Sequence, residues 1–294
     1  MTATEDEFSY LADNAAEAGL VWSGRPAVRR SSVVVAAHRE VSALIWGSSP
    51  PELALLHGGG QNAHTFDTVA LALDRPLLAI DLPGHGHSGW RDDHEYTPAA
   101  MAADVAAALR GLAPTARPVV GMSLGGLTAL CLAAEYPSLV DRLALIDITP
   151  GTNADQAEPI LAFLRGPERF GSFQEILDRT VAFNPTRTVS SLRRGIVHNA
   201  REFSDGSWSW RWDPSARWRG SGGFESLWEA VAGLRVPVFL IRGARSTVVS
   251  DSDAARFLQL QPQGEVTSIP DAGHSVQGDQ PVALARVLTR FLEA

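Results

Sequence analysis

The chain contains no lysine. All 25 of its basic side chains are arginine. That excludes a lysine Schiff base and the phosphate-gripping lysine of a P-loop. Cysteine is almost absent as well. The single Cys131 can build neither a disulfide framework nor a cysteine-based zinc site. Set among Leu130, Leu132 and Ala133, it reads as a small core residue. Positive charge is in deficit: 33 acidic residues against 25 basic ones give a net charge of −8, which is the wrong sign for a nucleic-acid binder. No apolar run reaches membrane-spanning length. The acidic start, Met1-Thr2-Ala3-Thr4-Glu5-Asp6-Glu7, has no basic and apolar leader pattern. The expectation is a cytoplasmic protein with no stable membrane association and no nucleic-acid partner.

What is present is ample apolar material, 45% of 294 residues, arranged as alternating strands and helices. Residues 1–30 read as an extension, with Phe8, Leu11 and Ala15 at helical spacing. Ser32–Ala37 and Val41–Trp46 read as an antiparallel pair. Short apolar runs then alternate with helical patterns: strands at Leu53–Leu56, Pro76–Leu82, Arg117–Val120 and Arg142–Ile148, helices between them. Thr97-Pro98 opens one helix as N-cap and first residue. From 151 to 233 the alternation stops, and helical segments (158–164, 173–183, 189–199) surround a tryptophan-rich piece. Alternation resumes with Val238–Ile241 and Glu265–Ile269 and closes on an amphipathic helix, Pro281–Leu292. The expected architecture is an α/β core over 1–150 and 234–294, with a mainly helical cap inserted over 151–233. Repeated β-then-α units imply a mostly parallel sheet flanked by helices, whose ligand lies beyond the carboxyl ends of its strands.

The chemistry-bearing stretch is Val119-Val120-Gly121-Met122-Ser123-Leu124-Gly125-Gly126. A strand runs into Gly-x-Ser-x-Gly and a helix-forming run follows, the context of a sharp strand-to-helix elbow. Glycine at 121 and 125 lets the backbone pass where a Cβ would collide. Ser123 then sits at a helix N-terminus, which favours developing negative charge. The expectation is that Ser123 is a nucleophile.

Together with His57-Gly58-Gly59-Gly60, Asp81-Leu82-Pro83-Gly84-His85-Gly86-His87-Ser88 and Gly273-His274, this elbow resembles the α/β-hydrolase superfamily, in particular its capped carboxylesterase-like members from actinobacteria. The motifs occur in the family's order and cover most of the chain outside the cap. The resemblance implies an eight-stranded α/β-hydrolase fold and serine-dependent hydrolysis, usually of small carboxylic esters or thioesters, through an acyl-serine intermediate. It implies no cofactor and a small-molecule substrate. Monomer and homodimer both remain open.

His274, in a loop after the last strand, is the expected general base. An oxyanion hole needs two backbone donors. Leu124 N–H is one. The glycine loop supplies the other, and the resemblance favours Gly59, with Gly60 second. The acid departs from the family: Gly243-Ala244-Arg245-Ser246-Thr247 puts threonine where related chains carry aspartate. Asp147 after the sixth strand and Asp251 beyond Thr247 are substitutes, and an incomplete triad is the third option. His57 reads as a loop anchor. Asp81, His85 and His87 read as a structural turn rather than a metal site. Trp208, Trp210, Trp212 and Trp218 suit a pocket lining or the packing of the cap. Arg193, Arg194, Arg201 and Arg211 suit an acidic substrate or solvent. The rivals are a C–C bond hydrolase, lactonase or lyase on the same fold, and a weakly catalytic small-ligand receptor, for which Thr247 is the one argument.

Overall fold

A computed structural model describes residues 6–152, 154–215 and 224–293, without the side chain of 154. The chain opens with helix α1 (Leu11–Glu17), then strands β1 (Val28–Ala36) and β2 (Arg39–Trp46). The extension therefore ends near 27, a few residues short of the expected 30. Next come β3 (Leu53–Leu56), α2 (Asp67–Leu73), β4 (Leu77–Ile80), α3 (Pro98–Leu112), β5 (Pro118–Met122), α4 (Leu124–Glu135) and β6 (Arg142–Ile146). Thr97 caps α3 as its sequence indicates, accepting from Ala100 N. The interrupting segment holds α5 (Ala154–Leu164), β7 (Arg169–Phe170), α6 (Phe173–Phe183), α7 (Val189–Asn199), β8 (Ala200–Glu202), β9 (Trp208–Trp210) and α8 (Leu227–Gly233). The chain closes with β10 (Val238–Gly243), α9 (Asp251–Leu260), β11 (Glu265–Ile269), α10 (Val276–Asp279) and α11 (Pro281–Glu293).

Eight strands form one sheet in the order β1-β2-β4-β3-β5-β6-β10-β11. Only β2 runs against the rest. The central strands are buried on both faces, as their unbroken apolar runs require. Two buried clusters, one on each face, separate the sheet from its helices. One includes Val105, Leu130 and Phe257. The other includes Phe66, Leu288 and Phe291. Leu284, Val287, Leu288 and Phe291 form the buried stripe of α11.

The interrupting segment differs from a purely helical reading in two ways. Its tryptophan-rich piece forms a small antiparallel sheet, β7-β9-β8. Trp210 sits in a separate cluster with Ile176, Leu192 and Ile196, and Ser209 beside it is buried as well. Its last helix, α8, packs instead with the main core, to which Trp228 and Val231 belong. By packing, α8 therefore belongs with the main core and not with the segment that precedes it. Trp218 lies outside the described residues.

The elbow is defined by close backbone contact. A Cβ at Gly121 would lie 2.3 Å from Gly125 O, and one at Gly125 would lie 2.3 Å from Leu56 O. Backbone cannot yield as a side-chain tip can. We expect Gly125→Ala to cost more than ~3 kcal/mol and to leave little folded protein; soluble yield and thermal unfolding check this, and a wild-type melting temperature would refute it.

Candidate active site

The sheet register brings the loops together. Met122 pairs with Ile146 across β5 and β6, and Ile241 pairs with Ile146 across β10 and β6. Ser123 and Asp147 are the next residues along. Asp147 N donates to Ile241 O at 2.7 Å, and Ser123 N donates to Ile146 O at 3.1 Å. Both residues thus leave the sheet side by side.

Ser123 has φ 52° and ψ −117°, left-handed for a non-glycine residue. Such conformations cost of order 1–3 kcal/mol and hold a side chain where relaxed geometry would not. Ser123 precedes α4, so Leu124 N–H is among the helix's free N-terminal donors. The glycine loop lies directly over it: a Cβ at Gly58 would be 3.3 Å from Ser123 Cβ and 2.5 Å from Met122 Sδ.

Asp147 is fully buried, with φ 49°. Both oxygens of its carboxylate are engaged. Oδ1 takes Gly243 N–H at 3.0 Å. Oδ2 takes the Ser246 hydroxyl and lies 2.9 Å from His274 Nδ1. The loop after β10, where an acid was expected, instead donates hydrogen bonds to the acid on the neighbouring strand. Thr247 is exposed. Asp251 is almost fully exposed and pairs with Arg242 at 2.8 Å, so it stands apart from His274.

Other residues behave as anchors. His57 is completely buried. Its Nδ1–H donates to Gly58 O at 2.8 Å and its Nε2 accepts from Leu82 N at 2.9 Å. Burial and neighbouring His85 push its pKa down to about 3, so it is neutral and fixes the glycine loop. Burial pushes the Asp81 carboxyl up, but Arg30 and the N–H groups of Ala63 and His87 outweigh it and hold the carboxyl below its usual range. With Arg30 and these N–H groups bound, Asp81 is committed to the turn. His85 Nδ1 is engaged by Pro83 O.

Ser123, His274 and Gly59 line one cavity of about 820 Å³, roofed by α5, α6 and α7 and reaching α1. Asn199 on α7 closes on the glycine loop, donating to Gly60 O at 2.6 Å. Gln277 follows His274 and donates to Gln61 Oε1 at 3.2 Å, which itself accepts Gly58 N–H. Sequence reasoning missed Gln61, Asn199, Ser246 and Gln277, because isolated polar residues carry no motif. The tryptophans of the interrupting segment mainly pack within that segment: Trp210 stacks on Trp212 at 4.6 Å, and Trp208 meets Phe173 edge-on. Trp210 alone of these also lines the cavity. Arg193 and Arg201 stack on aromatic rings, Arg194 pairs with Glu17, and Arg211 donates to Ala200 O.

At the α1 end, His64, Asp67 and His198 place nitrogen and oxygen atoms within 4.8 Å of one another. The two rings are stacked, 3.7 Å apart and 13° from parallel. Both His64 nitrogens are already engaged, Nδ1 with Asp67 at 2.8 Å and Nε2 with Glu7 at 3.0 Å, and Arg30 lies 3.4 Å from Nε2. This set fits a charged stacked pair better than a metal. Burial lowers the His64 pKa, but Asp67 and Glu7 outweigh it and raise it to about 9. Burial and charged His64 hold His198 well below its ordinary value. A raised histidine pKa stabilises the fold fully below about 6.5, and that stability is lost as pH rises through about 9. We expect wild-type stability to fall between pH 7 and 10 by on the order of 3 kcal/mol. His64→Gln should flatten the fall; thermal unfolding at stepped pH reads this, and an equal slope in both proteins would refute it.

A family model described as the alpha/beta hydrolase fold matches residues 51–281. The chain belongs to that family. It is 46% identical to the esterase Rv0045c of Mycobacterium tuberculosis, over 98% of this chain and 96% of that one. A crystal structure of that esterase superposes with a TM-score of 0.89 at 45% identity, covering 100% of both chains. The structure of E-2-(acetamidomethylene)succinate hydrolase superposes with a TM-score of 0.82 at 25% identity, over 91% of this chain and 100% of that one. The eight-stranded sheet and its order are thus those of a hydrolase family member. Among the described residues no helix is long and apolar enough to cross a membrane.

Proposed function

We propose that this protein is a serine esterase that hydrolyses small carboxylic esters or thioesters through an acyl-Ser123 intermediate. The observation that carries the reading is the shared cavity of Ser123 and His274, with His274 Nδ1 held 2.9 Å from fully buried Asp147. Asp147 fixes the Nδ1–H tautomer, so Nε2 is free to take the Ser123 proton. Ser123 Oγ attacks the ester carbonyl. Leu124 and Gly59 N–H groups hold the oxyanion. His274 then protonates the leaving alcohol or thiol, and later activates the water that frees the acid. The strong identity to an esterase across the whole chain supports the same reading.

The cap, read as residues 151 to about 215, sizes the substrate, since it roofs a cavity suited to a small molecule. No step needs a metal or cofactor. The cellular location consistent with this reading is the cytoplasm. The receptor reading rested on Thr247, and an acid already paired with His274 removes that argument. The test is hydrolysis of p-nitrophenyl esters of graded chain length by wild type beside Ser123→Ala. Equal rates for the two proteins on every ester would overturn the esterase reading.

A further inference from the structure

Among the described residues, one guanidinium lining the cavity pairs with no carboxylate. Arg187 sits in the short connection between α6 and α7 and lines the same cavity as Ser123 and His274. Its Nη2 donates to Ser191 Oγ at 2.6 Å. Its Nε is buried with no hydrogen-bond partner. Its Nη1 lies against the cavity wall formed by Gly278, where a Cβ would come within 2.9 Å of it. Among the described residues no carboxylate pairs with it.

The nearest acids are engaged elsewhere. Glu17 is bound by Arg194 and Thr188. Asp279 accepts Gly273 N–H at 2.8 Å, bracing the turn that carries His274. Both act on Arg187 only at a distance, and burial wins, holding the guanidinium below its ordinary pKa. Arginine stays charged regardless. An unpaired, largely dehydrated guanidinium is costly unless a ligand completes it. The four cationic residues that the sequence offered for an acidic substrate are all committed to rings, acids or backbone. Arg187, unmarked in the sequence, lines the reaction chamber and pairs with no carboxylate among the described residues.

We propose that Arg187 selects esters bearing a carboxylate, which it binds while Ser123 attacks the ester carbonyl. This rests on the esterase reading and narrows its substrate class to half-esters of dicarboxylic acids and acyl esters of hydroxy acids. Gly278 matters because its missing side chain lets the guanidinium lie flat beside the turn after His274. The anion would be held a fixed distance from the reacting carbonyl, which sets an optimal spacer length.

The test uses two ester series. One is the mono-p-nitrophenyl esters of succinic to adipic acid; the other is ω-acetoxy acids from acetoxyacetate to 4-acetoxybutyrate. Each member is compared with the analogue whose free carboxylate is a carboxamide, and buffer hydrolysis is subtracted. The readout is the ratio of kcat/KM for carboxylate over carboxamide. That ratio is internal to each protein, so partial loss of folded enzyme cancels. In wild type we expect at least one spacer to give a ratio of roughly tenfold or more, the scale of a charge-assisted hydrogen-bond pair. Arg187→Met and Arg187→Gln should each bring that ratio to about one or below. A wild-type ratio at or below one in both series overturns the proposal, as does a high ratio that survives both substitutions. If the esterase reading itself fails, the outcome is different: wild type matches Ser123→Ala on carboxylate and carboxamide alike.

Discussion

Asp147→Asn is expected to lower kcat/KM on a p-nitrophenyl ester by about 10³–10⁴-fold, with the loss almost wholly in kcat. The size follows from the hydrogen bonds. Oδ1 accepts Gly243 N–H, so asparagine keeps its carbonyl oxygen there. Its NH₂ then faces Ser246 and His274 Nδ1, both of which it meets as a donor. The serine hydroxyl rotates to accept. The imidazole can accept only by moving its proton to Nε2. That tautomer presents a donor to Ser123 and no base. The fold survives, because every partner is still satisfied. Asp251→Asn, by contrast, should stay within about twofold of wild type, since it removes only an exposed pair with Arg242. Steady-state kinetics on both variants decide the matter. A fully active Asp147→Asn, or a crippled Asp251→Asn, would show that the acid has been assigned to the wrong strand.

Ser123 variants carry the other large effect, and it has two opposite signs. Ser123→Ala should lose on the order of 10⁵–10⁶ in kcat, because the acyl intermediate can no longer form. A fluorophosphonate should add one adduct to wild type and none to this variant by intact mass. Ser123→Gly should be equally inactive but more stable by about 1 kcal/mol. Glycine adopts φ 52° without a Cβ, and that relief exceeds its greater entropy in the unfolded chain. The elbow would then be a place where stability is given up to aim a nucleophile. A Ser123→Gly protein that melts below wild type would mean that the turn stores no strain.

How much of this was legible beforehand differs by residue. The elbow was, because steric exclusion of Cβ at Gly121 and Gly125 writes itself into the sequence as two glycines flanking one serine at fixed spacing. His57 as an anchor was legible too, from its place at the head of a glycine loop. The small sheet around Trp208–Trp210 was not, since strands of two or three residues are too short to show a period. The packing of α8 on the main core was equally hidden: nothing in Leu227–Gly233 says which of two apolar clusters will receive Trp228.

The sequence by itself determined the class of fold and placed Ser123 and His274 in loops at one edge of the sheet, where they line one cavity. Those follow from local rules: apolar runs of strand length, glycines where backbones touch, a helix beginning at the serine. Tertiary structure decided which carboxylate faces His274, because β6 and β10 are neighbours only in the folded sheet and are separated in the chain by the whole interrupting segment. An acid at the end of either strand can reach the same imidazole, so position along the chain cannot choose between them. Tertiary structure also decided that Arg187, which lines the cavity, has no paired carboxylate among the described residues. Charge pairing is a property of distances between residues far apart in sequence, and Arg187 stands out only after Glu17, 170 residues earlier, is seen to be held by Arg194 and Thr188.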